Sequence, residues 1–350
     1  MIFLMKIAFL GALLGCFSFA SAGFDMNSKK NMVLYWGQNS YGQGSGDLAQ
    51  QRLSYYCQNT NVDTIVMSFL VQFNGNGGQP VLNFANQGDK CTLFDGTSLF
   101  SCPEIEADIT ACQNTYGKTI LLSVGGATYT EGGFSSSDAA VSMANKVWAM
   151  FGPQQSGSSI LRPFGSAVID GFDFDFESQV SNMPAFGNQL RSNMDSTGGK
   201  KYFLTAAPQC PYPDAADDPM LDGSVSFDAV FIQFYNNYCG VSSYVAGTAD
   251  QNNYNFNTWD SWAKNTSKNK AVKVLVGVPG NTGAGAGYIA PDNLSAVLTY
   301  SSQYSSFGGV MIWDASQVYA NSGFISSVGG SLSTLSKRQM RRGWRNEKAE

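Results

Sequence analysis

Hydrophobic positions along the chain gather into eight short runs rich in β-branched and aromatic residues, at 33–36, 64–69, 119–124, 168–176, 202–206, 229–234, 272–278 and 309–313. Runs of this length, bounded by turn residues, predict strands. Most lead through a Gly or Asn turn into a stretch of helical composition, at 48–57, 104–116, 139–151, 184–194, 258–264 and 292–304, and Ser137-Asp138 and Asp292 stand as capping residues for two of these. The runs begin 27 to 55 residues apart, a spacing suited to repeated βα units. Eight alternations predict an α/β fold of the (β/α)8 TIM barrel type, a single catalytic domain that typically needs about 250 residues plus insertions. A doubly wound sheet is the alternative. It lacks support after the first run, because Gly42, Gly44 and Gly46 do not have the Gly-x-Gly-x-x-Gly spacing.

The fourth run differs from the rest. FGSAVIDGFDFDFESQV, residues 164–180, carries Asp170, Asp173, Asp175 and Glu177 within a chain that is only 13% charged. Side chains alternate faces along a strand, so Asp173, Asp175 and Glu177 share one side and Phe172, Phe174 and Phe176 the other. Phenylalanines packed beneath the helices turn the three acids toward the lumen and its C-terminal mouth, while Asp170, of opposite parity, is structural. Like charges this close raise one another's pKa in a partly desolvated site, so at least one proton is retained near neutrality, as a general acid requires. The competing readings are an edge strand with a solvated acidic face, and a calcium or magnesium site. Three buried phenylalanines argue against the first. An extended strand cannot wrap its own acids around an ion, and no Asp-x-Asp-x-Asp-Gly loop is present, so no metal and no cofactor is expected.

Composition narrows the chemistry. The sequence has no histidine, which excludes Ser-His-Asp and Cys-His relays and imidazole metal sites and leaves acid-base work to carboxylates, tyrosines or lysines. Residues 1–22 carry Lys6, an apolar run and Ala20-Ser21-Ala22, the pattern of a signal peptide cut after Ala22. The mature protein is therefore expected to be secreted, to the extracellular space or cell wall. Six of the seven cysteines remain after cleavage, Cys16 leaving with the signal, and an even number in an exported chain predicts disulfides whose connectivity spacing alone does not decide. Residues 337–350 hold six basic and two acidic side chains, a net +4; with −5 for the whole chain, the remainder carries −9. Such an acidic body has no electrostatic reason to seek nucleic acid or a membrane. The barrel is assigned to 23–336 and the basic segment 337–350 to a disordered tail, in which Lys337-Arg338 and Arg341-Arg342 are processing sites or simply solvated charge.

DGFDFDFE matches the Asp-x-x-Asp-x-Asp-x-Glu signature of glycoside hydrolase family 18, and over residues 31–330 the chain resembles its class III, hevamine-like plant and fungal chitinases. VLYWGQN, SVGG, TAAPQCPYPD, QFYNN and MIWD fall at the first, third, fifth, sixth and eighth runs in the family's order. The resemblance implies Glu177 as the proton donor, Asp175 as the acid that holds the substrate's 2-acetamido group and Asp173 as the partner sharing its charge or proton. It implies Tyr235 as the hydrogen-bonding partner of the acetamido oxygen, with Gln233 and Asn236 beside it, Trp313 as the floor of the subsite and Tyr35 at the same mouth. Gly125 and Gly126 either end their strand or let sugar approach the backbone. In such enzymes the acetamido oxygen is the nucleophile, an exception to the two-carboxylate rule.

The same resemblance pairs Cys57 with Cys112, Cys91 with Cys102 and Cys210 with Cys239. Its expected substrate is chitin or its oligosaccharides, cut internally by a monomer with retention of configuration. A non-catalytic sugar-binding or inhibitor protein on the same barrel is one alternative, and an endo-β-N-acetylglucosaminidase acting on N-glycans another. Asn265 and Asn293 open glycosylation sequons. Ala127-Thr128-Tyr129 stands where plant members carry more glycine, and the plant members lack the basic tail.

Overall fold

The structure is a computed structural model that describes residues 23–346, so the predicted signal peptide lies outside the described residues. Eight strands form the barrel: β1 Asn31–Trp36, β2 Thr64–Gln72, β3 Thr119–Gly125, β4 Gly171–Asp175, β5 Phe203–Ala206, β6 Ala229–Gln233, β7 Lys273–Pro279 and β8 Phe307–Trp313. All eight pair in parallel with their neighbours in chain order, and β1 closes the ring by pairing with both β2 and β8. Each strand is followed by a helix: α1 Leu53–Cys57, α2 Pro103–Asn114, α3 Ser137–Phe151, α4 Met183–Ser196, α5 Asp218–Leu221, α6 Phe256–Asn265, α7 Pro291–Ser301 and α8 Phe324–Asn346. This is the (β/α)8 barrel that the alternation predicts.

Strand parity divides the core into two layers. Met32, Leu34 and Trp36 of β1 belong to the layer between strands and helices, whereas Val33 and Tyr35 join Val66, Leu121, Phe231, Leu275 and Met311 inside the barrel. Burying side chains of this size contributes about 1.5–3 kcal/mol each. Phe24 fills the floor of the inner layer, its ring 5.3 Å from Phe203 and 6.5 Å from Phe231 and its N–H donating to Thr119 Oγ1 at 2.9 Å. On β4 the phenylalanines face outward as parity requires. Phe172 meets Trp148 and Phe151 of α3, and Phe174 meets Phe186 of α4.

Several details depart from the sequence reading. The cap of α3 is Ser136, one residue earlier than expected, its Oγ accepting from Ala139 N–H at 3.2 Å. In α7 Pro291 occupies the first turn with Ala290 as the N-cap, because proline's missing N–H costs nothing there; Asp292 sits in the first turn, where its charge suits the helix dipole. The short α5 and the long α8 lie outside the predicted helical stretches. The backbone of α8 runs on as helix past Lys337 to Asn346, through Lys, Arg, Gln and Met, residues that favour helix. Between β2 and α2 the chain adds the strand Val81–Leu82 against β2 and a hairpin of Thr92–Leu93 with Phe100–Ser101. The disulfides are Cys57–Cys112, Cys91–Cys102 and Cys210–Cys239, the pairing the resemblance implies.

Candidate active site

The register of three neighbouring strands sets Ser123, Asp173 and Thr205 side by side at one level of the lumen. Asp173 is fully buried there. Three hydroxyls donate to it: Tyr35 Oη to Oδ2 at 2.6 Å, Ser123 Oγ to Oδ2 at 2.7 Å and Thr205 Oγ1 to Oδ1 at 2.7 Å. Desolvation raises its pKa, and these three bonds, made to the charged form, oppose that rise.

Asp175 lies one step toward the mouth, 4% exposed, and accepts from Gln233 Nε2 at 2.9 Å. Burial holds its carboxyl well above the usual range, and Glu177, Asp173 and Asp214 add repulsion against the single amide's help. Three hydroxyl donors converge on Asp173 and favour its ionised form, whereas Asp175, with one amide donor and three repelling acids, is pushed further up. Glu177 is two residues past the end of β4 and exposed at the mouth; partial burial raises its carboxyl pKa. The three acids thus pass from sealed to open along one line.

A cleft of about 300 Å3 opens over them, bounded by Asp175 at the end of β4 with Glu177 just beyond it, and by Gln233 at the end of β6 with Tyr235 and Asn236 just beyond it. Trp313 at the end of β8 and Phe69 from β2 complete its aromatic wall, their rings stacked 6.0 Å apart. Tyr235 is buried, and desolvation followed by the charges of Asp175 and Glu177 holds its hydroxyl protonated far above the ordinary tyrosine range. Asn236 adopts φ 59°, and its Oδ1 accepts from Ala286 N–H at 2.7 Å, pinning the loop after β7 against the cleft. A larger groove of about 570 Å3 runs along the outer wall beside α7, but Asp292 is the one acid lining it and none of the β4 acids reaches it.

Three residues assigned to substrate contact lie elsewhere. Tyr35 is 1% exposed, its ring 5.6 Å from that of Trp313, and it does not line the cleft; its hydroxyl is spent on Asp173. Gly125 and Gly126 are absent from the lining. At Gly125, φ is 116° and a Cβ would come within 2.5 Å of the Asp175 carbonyl oxygen; at Gly126, φ is 80° and a Cβ would meet the Phe69 ring at 2.8 Å. Their lack of a side chain serves strand pairing and packing, and Ala127 and Thr128 line the cleft in their place. Asp170 is structural as expected, accepting from Ile120 N–H and Gln113 Nε2.

Residues that sequence reasoning passed over also shape the site. Gln38, Gln209 and Ala284 line the cleft, and Asp214 fixes Gln209 by accepting its N–H at 3.0 Å along with those of Ala216 and Asp217. Asp217 is wholly buried, and neither of its carboxyl oxygens has a partner among the described residues. Burial first, then Asp214, Asp175 and Asp173, hold its carboxyl well above the usual range. Asp214 could have been noticed within TAAPQCPYPD; nothing local marks Asp217. No group of three His, Cys, Asp or Glu side chains suited to a metal occurs among the described residues.

Residues 31–287 match the family model described as Glycosyl hydrolases family 18. The chain is 54% identical over 325 residues to Endochitinase 33 of Trichoderma harzianum, covering 92% of this chain and 98% of that one. It is 49% identical over 324 residues to the class III chitinase of Arthroderma benhamiae, covering 92% and 91% respectively. Among solved structures it resembles a xylanase and alpha-amylase inhibitor protein from Scadoxus multiflorus at 30% identity and a TM-score of 0.67, over 86% of this chain and 98% of that chain. With its barrel, its β4 acids and these matches together, the chain belongs to family 18 of the glycosyl hydrolases.

Proposed function

We propose that the protein is a secreted endochitinase that hydrolyses β-1,4 links between N-acetylglucosamine units by substrate-assisted, retaining catalysis. The observation that carries this reading is the line Asp173, Asp175, Glu177, which ends in a raised carboxyl within the same cleft as Tyr235 and Trp313. The relatives named endochitinase and class III chitinase support the substrate class.

Glu177 gives its proton to the glycosidic oxygen as the link to the leaving sugar breaks. The 2-acetamido carbonyl oxygen of the sugar over Trp313 attacks the anomeric carbon from the opposite face. Asp175 accepts from the acetamido N–H, and the Tyr235 hydroxyl donates to the acetamido oxygen, holding it for attack. The oxazolinium-like intermediate is positive, and the negative charge kept on the Asp173/Asp175 pair stabilises it where water is scarce. Glu177, now ionised, takes a proton from the water that opens the ring, which restores the acid and leaves the β configuration.

The solved inhibitor relative keeps a second reading in view, a binding protein on the same barrel. Chitin oligomers and an intact glycoprotein offered to wild type and to Glu177→Gln separate the possibilities. Loss of oligomer cleavage of about 100-fold or more in the variant is expected, general acid catalysis being worth roughly 10²–10⁴. Binding without hydrolysis by wild type would establish the second reading, and preferential cleavage of the glycoprotein the N-glycan one. NMR of the first product is expected to show the β-anomer; an initial α-product excludes attack by the acetamido group.

A further inference from the structure

The enclosed cleft is small for a polymer. At about 300 Å3 it stands at the lower end of pockets that hold one drug-sized ligand, roughly 300–1,000 Å3, so most of a chitin strand must lie outside it. On the side formed by Gln209 and Asn236, the chain continues into an exposed aromatic feature that the reaction does not use. Asn237 donates from Nδ2 to Gln209 Oε1 at 2.9 Å, joining the loop after β6 to the loop after β5 at the edge of the cleft. The next residue, Tyr238, is 66% exposed, more than any other exposed large hydrophobic side chain among the described residues. Cys239 then bonds to Cys210, and two residues beyond Cys210 lies Tyr212, 40% exposed, with its ring edge-on to Trp259 at 5.2 Å.

We propose that Tyr238, with Tyr212 on the loop that the Cys210–Cys239 bridge ties to its own, forms an aromatic ledge that carries sugar rings of a bound N-acetylglucosamine polymer after they leave the cleft. The chemistry suits that ligand. A tyrosine ring offers an apolar face to the C–H face of a pyranose and a hydroxyl to its polar edge. The adjoining groups, Asn236, Asn237 and Gln209, are neutral amides that match an uncharged, acetylated polymer. The disulfide holds both loops in place before substrate arrives, which limits the ordering cost of binding.

The inference rests on the chitinase reading, and its test keeps the two apart. Wild type, Tyr238→Ala and Tyr238→Phe are assayed on the N-acetylglucosamine trimer and hexamer. In Tyr238→Ala the hexamer-to-trimer ratio of kcat/KM is expected to fall about three- to tenfold, carried by KM for the hexamer, whereas Tyr238→Phe keeps most of it. A ratio unmoved in Tyr238→Ala overturns the ledge. If wild type cleaves neither oligomer, it is the chitinase reading that fails, and calorimetric binding of the hexamer decides the ledge instead: a Kd three- to tenfold weaker in Tyr238→Ala supports it, and an equal Kd overturns it.

Discussion

Tyr35 reaches across the barrel to Asp173, its hydroxyl 2.6 Å from Oδ2, and the two are sealed from solvent together. A hydrogen bond to a charged group is worth about 1.5–3 kcal/mol, so this one contributes materially to keeping Asp173 ionised. In Tyr35→Phe the ionised form loses a donor and the Asp173 pKa rises. The acidic limb of the kcat/KM profile is expected to move to higher pH, with a fall of about tenfold or more at the wild-type optimum. A profile that keeps its acidic limb in place would assign the loss to packing instead.

Under the proposed mechanism Glu177 sets the opposite limb. The acid acts only while protonated, and burial raises its pKa above the ordinary glutamate range. Activity is therefore expected to persist at pH values where a solvent-exposed glutamate would already be ionised, and to decline as pH rises through the shifted value. In the pH dependence of kcat/KM, an alkaline limb at an ordinary glutamate pKa would contradict this.

Trp313 presses on both Phe69 and Tyr35 and faces the cleft. Trp313→Ala removes a ring that lines the cleft, the floor of the reacting sugar in the proposed mechanism, and a neighbour of the Tyr35 ring. Steady-state kinetics on the trimer are expected to show kcat/KM reduced about 10- to 100-fold, with Trp313→Phe intermediate.

Asp217 is a stability liability that grows with pH. The folded state retains a proton on this carboxyl that the unfolded chain releases above the usual aspartate range, since burial raises the folded pKa. Folded stability thus falls as pH rises between the unfolded and folded pKa values, with a slope of up to about 1.4 kcal/mol per pH unit from this residue. Asp217→Asn is expected to raise Tm near about pH 7, with the difference shrinking as pH falls toward the unfolded aspartate value. Thermal melts across pH decide it; equal Tm changes at every pH would show that the residue does not titrate in this way.

Parity and spacing made the barrel and the acid line readable in advance, because both follow from local periodicity: DGFDFDF splits into an inner acidic face and an outer aromatic one wherever a strand is packed on both sides. What stayed hidden depends on neighbours distant in sequence. Tyr35 had the parity of a lumen residue, yet only the closure of β1 with β2 and β8 shows that it lies beside Trp313 and serves Asp173. Gly125 and Gly126 invited a ligand-approach reading until the Asp175 backbone and Phe69 filled the space. Asp217 sits in a loop with no marked pattern, and its burial comes from the way that loop folds back toward β4. The one-residue error at the α3 cap shows where composition is weakest, at element ends.

Phe24 stoppers the tube at its lower end, wedged between Phe203 and Phe231. A barrel corked there offers no passage from one side to the other, so a long polysaccharide cannot thread through it and must drape over the open rim, arriving and departing on the same side. Glu177 stands exposed at that rim, on the one side a strand can reach.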